Sequence, residues 1–234
     1  MIRVLSPSTR PDWQLITAGT VLLCAFLVPA VILMAGQGEP AFNRADTQWQ
    51  AYIFTLQSPA GDAVNAFLNW AGYAGMLFFH VVLVTVLFIW RRPKAAIFSS
   101  TSGLTALALT QLAKAVVGRD RPEGARVLTD TGSYPSGHVS ATTAFLVILS
   151  LLMGRAWMKV LAAIGIVAMM VSRTYLLAHW LSDVLGGACL AAGTVLLFWV
   201  AFRKACIKEN AEADGMTIWQ AKALQRRQAG EQPE

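Results

Sequence analysis

Charge is scarce in this sequence. Only 14% of its 234 residues are Asp, Glu, Lys or Arg, against 56% hydrophobic, and mean hydropathy is +0.52. Soluble domains carry about 25% charged residues, so an ordinary water-facing surface is excluded and a membrane protein is expected. Cysteine is equally thin: Cys24, Cys189 and Cys206 are the only three, and none has a second Cys or a His at ligand spacing. Neither a disulfide framework nor a zinc site follows. Internal repeats and low-complexity tracts are missing too, which removes solenoid architectures. The net charge of +6 could attract nucleic acid. The basic residues nevertheless sit in short groups between apolar runs, with no basic stripe, and their pattern reads as membrane topology.

What the sequence does contain is a series of apolar runs near the length that crosses a bilayer. Leu15–Ala35 is the first, too long for the h-region of a cleavable leader and carrying Pro29 as a place for a kink. Further runs at Gly72–Trp90, Ala95–Val117, Val139–Met153, Val160–Tyr175 and Trp180–Phe202 predict an all-α, six-transmembrane-helix bundle over residues 1–202. Between Gln37 and Ala71, Trp49, Tyr52, Ile53 and Leu56, then Val64, Phe67 and Leu68, recur at helical spacing. They predict two short amphipathic helices on the outer surface, as a cap on the bundle or as a route for lipid. Residues 203–234 read as a polar cytoplasmic tail, either disordered or a surface-bound basic helix around Trp219, Lys222, Leu224 and Arg226.

Lys and Arg gather on cytoplasmic loops. With both termini inside, thirteen fall on the inner side and six outside: Arg44, Lys114, Arg119, Arg121, Arg126 and Arg173. Trp13, Trp90, Trp157 and Trp199 lie at inner span ends and Trp70 and Trp180 at outer ones, as in an aromatic belt.

Three clusters share the outer side. At the end of the third span, Lys114 is followed by Arg121 and Pro122. Proline keeps its predecessor out of the helical region, so a point charge on the helix and a planar fork beyond it can approach one anion. Arg119 and Arg126 are read as cations that snorkel. Ahead of the fourth span stand Pro135, Ser136, Gly137 and His138. Gly137 permits close backbone approach, and N–H groups at a helix start bind anions. The third cluster runs from Ser172 and Arg173 to His179 and Asp183. His179 and Asp183 are four apart, the spacing at which a carboxylate holds one imidazole nitrogen and leaves the other available. Arg173 and His179 are six apart and would diverge on one regular helix, so a break is expected between them. Each cluster alone is as well explained by structure as by chemistry. Together they offer what covalent phosphoryl transfer needs: cations for the phosphoryl oxygens, an oriented imidazole and a second histidine to protonate the leaving oxygen.

These residues resemble the signature of the type-2 phosphatidic acid phosphatase superfamily, also called haloperoxidase-like: Lys, six residues, Arg-Pro; Pro-Ser-Gly-His; Ser-Arg, five residues, His, three residues, Asp. Every specified position matches, at Lys114, Arg121 and Pro122, at Pro135 to His138, and at Ser172, Arg173, His179 and Asp183. The resemblance implies that His179 attacks phosphorus to form a phosphohistidine, oriented by Asp183, with His138 as general acid. Lys114, Arg121 and Arg173, helped by Ser136 and the Gly137 backbone, would hold the phosphate, with no metal or cofactor required. A lipid phosphate or diphosphate at the outer face of the cytoplasmic membrane is the expected substrate, first a polyprenyl diphosphate, then phosphatidylglycerol phosphate or phosphatidic acid. Membrane lipids are the only other partners implied. Two alternatives use the same features: transfer of the phosphoryl group to another acceptor, and a non-enzymatic anion or proton pathway. The span middles lack charged residues, and His80 in the second span reads as packing.

Overall fold

The structure is a computed structural model and describes residues 12–36, 40–126 and 132–213. Among these it contains helices and no strands: α1 (Asp12–Ala35), α2 (Asn43–Thr55), α3 (Pro59–Trp70), α4 (Met76–Ile89), α5 (Pro93–Val117), α6 (Gly137–Met153), α7 (Ala156–Tyr175) and α8 (Leu181–Ala213). α3 begins on a capped first turn. Ser58 accepts from the Gly61 N–H at 3.1 Å, and Pro59 occupies a position where its missing N–H costs nothing. A π-helical segment, Ala71–Gly75, joins α3 directly to α4.

α8 is the axis of the bundle, packed against α1, α5, α6 and α7. Trp199 on α8 is fully buried, its ring centroid 5.0 Å from that of Phe98 on α5. It therefore belongs to the core and not to an aromatic belt, whereas Trp13, Trp70, Trp90 and Trp157 are exposed. Outward faces carry Leu77, Phe78, Ile89, Leu104, Leu112, Val160 and Ile164 without cover, as lipid-facing helices do. His80 does pack: its Nε2 lies 3.0 Å from the Ser99 carbonyl and 3.1 Å from the Ser99 hydroxyl, joining α4 to α5.

α1, α7 and α8 are long and apolar enough to cross a membrane. α4 and α6 are apolar but have only 14 and 17 residues. The π segment lengthens the α4 path, whereas α5 has 25 residues diluted by Ser, Thr and Lys. α1 continues through Pro29 to Ala35.

The boundary expected at residue 202 is displaced. α8 runs on to Ala213 because its last turns are packed, with Cys206 and Ala211 buried. The Glu209 carboxylate accepts the Lys94 and Ala95 N–H groups at 2.7 and 3.1 Å, an anion on the otherwise unpaired N-terminus of α5. Arg92 donates to the Glu209 carbonyl at 2.8 Å. Residues 203–213 thus belong to the bundle, and the expected basic helix around Trp219 lies outside the described residues. Arg203 pairs with Asp12 at 2.9 Å, so the start of α1, the start of α5 and the end of α8 share one end of the bundle. The three motif clusters share the opposite end.

Candidate active site

Each motif residue is placed by a helix terminus. α5 stops at Gly118, whose left-handed φ of 59° lets its N–H close on the Lys114 carbonyl at 3.1 Å. Lys114 therefore stands in the last helical turn and Arg121 in the loop beyond. The two cations still converge: Lys114 Nζ donates to the Gly132 carbonyl at 2.6 Å, and Arg121 Nη2 reaches the same oxygen at 3.5 Å.

The second cluster is anchored by Tyr134. Its hydroxyl donates to the Phe26 carbonyl at 2.6 Å and its ring stacks on Phe26. Ser136 N–H then bonds the Asp183 carbonyl at 3.0 Å, tying the start of α6 to the start of α8. The Ser136 hydroxyl is buried without a hydrogen-bond partner, a donor left for a ligand. Close backbone approach is made by Gly187 more than by Gly137. A Cβ on Gly137 would meet nothing nearer than the Lys114 side chain at 3.7 Å, whereas one on Gly187 would lie 2.6 Å from the Ser136 carbonyl. Gly187→Ala is accordingly expected to push α8 away from the Ser136 loop and lower kcat/KM on the order of 10²-fold, the scale of an ångström of misplacement. Steady-state assay of the folded variant checks this.

The break predicted between Arg173 and His179 is present. α7 ends in a Schellman turn: Leu177 adopts φ 53°, its N–H bonds the Thr174 carbonyl at 3.0 Å, and Ala178 N–H bonds the Arg173 carbonyl at 3.1 Å. The turn ties Ala178 to the Arg173 backbone, and His179 follows it, two residues before α8. Asp183 closes the first turn of α8 from within, its Oδ2 accepting the Trp180 N–H at 2.9 Å.

His179 is 4% exposed. Arg121 Nη1 lies 3.3 Å from its Nε2. Guanidinium can only donate, so Nε2 is the unprotonated nitrogen in this arrangement and the ring proton is assigned to Nδ1. Nδ1 faces Asp183 Oδ2 at 3.5 Å, a long contact of the kind that tightens when charge develops on the ring. Burial dominates the ionisation, with Lys114 and Arg121 opposing a positive ring further. The pKa is pushed down to about 4 even though Asp183 favours the charged form. The imidazole is therefore neutral at physiological pH.

Arg173 is 1% exposed and donates from Nη1 to Asn69 Oδ1 at 2.5 Å. His138 hydrogen-bonds the Asn69 backbone and lies within Coulomb range of Arg173, His179 and Lys114. All eight expected site residues thus gather at one end of the bundle.

Besides Asn69, two ionic residues outside that expectation join them. Arg119 does not snorkel. Its Nη1 donates to Asp183 Oδ1 at 2.6 Å and to Ser182 Oγ at 2.7 Å, and its Nη2 to Asp46 Oδ2 at 2.7 Å. Asp46, from α2, is 1% exposed. An arginine one residue before Asp120-Arg121-Pro122 carried the only available signal, and it was indistinguishable from a span-end cation. Arg126 remains a surface pair with Asp62 at 2.8 Å. The Asp120 side chain is exposed, and its carbonyl accepts from Ser133 and Trp180.

The chain resembles two solved structures. One is the transmembrane PAP2-type phosphatidylglycerolphosphate phosphatase from Bacillus subtilis, at TM-score 0.66 and 24% identity, covering 78% of this chain and 96% of that one. The other is Aquifex aeolicus LpxE, at TM-score 0.54 and 21% identity, covering 66% and 94%. No curated protein matches by sequence. The profile of the PAP2 superfamily matches residues 94–206, which include every motif position. By that match the segment 94–206, which carries the whole site, belongs to the PAP2 superfamily.

Proposed function

We propose that this protein is an integral membrane phosphatase that removes a phosphoryl group from a lipid phosphate or diphosphate through a phosphohistidine at His179. The observation that carries the reading is the placement of that imidazole: buried, with Nε2 3.3 Å from the Arg121 guanidinium and Nδ1 facing Asp183 Oδ2 at 3.5 Å.

When phosphate enters, Arg121 turns from Nε2 to the phosphoryl oxygens, where Lys114 and Arg173 join it and the Ser136 hydroxyl gains its missing partner. Nε2 attacks phosphorus as the bond to the leaving oxygen breaks, and His138, which takes up a proton as the phosphate anion enters among the cations around it, gives that oxygen the proton. The phosphorylated ring carries positive charge, which Asp183 stabilises through Nδ1–H. His138 then takes a proton from water as the water attacks phosphorus, returning His179 and releasing phosphate. Because three cations then face the phosphoryl oxygens, activity is expected to survive a chelator.

The basic-residue bias supports cytoplasmic termini and a site on the outer face. The leading substrate is a polyprenyl diphosphate, followed by phosphatidylglycerol phosphate, the substrate named for the Bacillus relative, and phosphatidic acid. Purified protein assayed on these three lipids, with and without chelator, tests the reading. Free phosphate from at least one lipid, unaffected by chelation, is expected. A phosphorylated acceptor in place of free phosphate would indicate phosphotransfer. Phosphate flux into vesicles without hydrolysis would overturn the enzyme.

A further inference from the structure

Asp183 alone could turn about its side-chain bonds and present either oxygen to His179. In the structure both oxygens are taken: Oδ2 by the Trp180 N–H at 2.9 Å and Oδ1 by Arg119 Nη1 at 2.6 Å. Arg119 is held in turn by Asp46 Oδ2 at 2.7 Å and Ser182 Oγ at 2.7 Å. Its guanidinium carbon lies 5.3 Å from the Trp180 ring centre and 5.7 Å from that of Phe42. Asp46 Oδ1 accepts the Ser182 N–H at 2.8 Å and Oδ2 its hydroxyl at 2.6 Å, so α2 is fastened to the first turn of α8 beside the nucleophile. The three ionic side chains are 1%, 9% and 0% exposed, in the order Asp46, Arg119, Asp183.

The charges matter as much as the geometry. Arg119 paired with Asp183 alone would cancel the carboxylate that His179 needs once its ring turns positive. Asp46 adds a second buried carboxylate, and the trio carries one net negative charge next to the imidazole. Buried ionic groups are costly unless fully partnered, and this cluster has a partner at each carboxylate oxygen.

We propose that Asp46, acting through Arg119, is a positioning residue that fixes the Asp183 carboxylate and with it the aim and charge compensation of His179. The outer helix α2 is then a part of the catalytic apparatus as well as a cap. This rests on the reading of His179 as nucleophile.

The test compares kcat, KM and thermal midpoint for the full-length wild type, Asp46→Asn, Asp183→Asn and the double variant, with the slow variants followed over hours. Asp46→Asn is expected to lower kcat about 10- to 100-fold, by analogy with loss of the outer partner of a metal-bound imidazole, with KM within about twofold. The double variant should equal Asp183→Asn, because the effect of Asp46 passes through that carboxylate. A folded Asp46→Asn with wild-type kcat overturns the proposal, as does the same loss repeated on the Asp183→Asn background. If Asp46→Asn does not fold, Ser182→Ala removes one hydroxyl from the cluster without changing its charge. Its expected loss is about fivefold in kcat, again absent when Asp183 is already Asn, and an additive loss overturns the proposal. Failure of the underlying reading would appear separately, as activity retained by His179→Ala.

Discussion

Alanine at position 179 is expected to lower kcat on a lipid phosphate on the order of 10⁵-fold while leaving KM nearly unchanged. The pocket cations and the Ser136 hydroxyl remain, so the phosphate still binds, but the attacking atom is gone and water must take its place unaided. The pH dependence follows from the same site. In the proposed mechanism His179 attacks as the neutral imidazole, and burial holds its pKa near 4 instead of the ordinary 6.5. Protonation of the free enzyme therefore removes activity only as pH falls through about 4, and kcat/KM should show no enzyme-derived acid limb at 6.5. The substrate's own second phosphate ionisation, near 6 for a monoester, is separated by titrating it alone. A limb at 6.5 that persists after that correction would mean the imidazole is solvated. For folding the sign runs the same way. Between about 4 and 6.5 the unfolded chain binds the proton that the folded chain refuses, so this group's contribution makes stability rise with pH across that window.

The second large effect is expected at His138 and depends on what leaves. A lipid alkoxide is a poor leaving group and needs a proton as the bond breaks, so His138→Ala should lower kcat 10²- to 10⁴-fold on a lipid phosphate, about the full worth of a general acid. A nitrophenolate leaves without that help. On an aryl phosphate the first step should be nearly spared, and labelled protein should accumulate because His138 is still missing when water attacks. Rapid-quench kinetics on both substrates with the same variant separates the two steps. An equal loss of phosphorylation rate on both would mean that His138 only shapes the pocket.

Much of this site was legible because its chemistry sits at helix ends, and ends are marked in sequence. Pro122 and Pro135 punctuate two of the clusters, and the six-residue step from Arg173 to His179 demanded a break, which the Leu177 turn supplies. Gly187 was less visible, because a glycine inside an apolar helix carries no sign of what presses on it, here the Ser136 backbone. Asp46 was hidden for a related reason. It stands among Arg44, Thr47, Gln48 and Gln50, a run that reads as a solvated face until α2 is laid across the start of α8. Trp199 misled in the opposite direction, since a tryptophan near a span end looks like an interfacial anchor and here fills the core beside Phe98. The continuation of α8 past Phe202 was obscured by its charges, among them Glu209, which caps α5.

The most direct test of the account is to quench the enzyme during turnover of a ³²P-labelled substrate and find where the label resides. The account predicts an acid-labile, alkali-stable phosphoryl group on the His179 side chain, chased to free phosphate by water and missing from His179→Ala. Turnover with no labelled protein at any quench time, or label carried by another residue while His179→Ala still reacts, would contradict it.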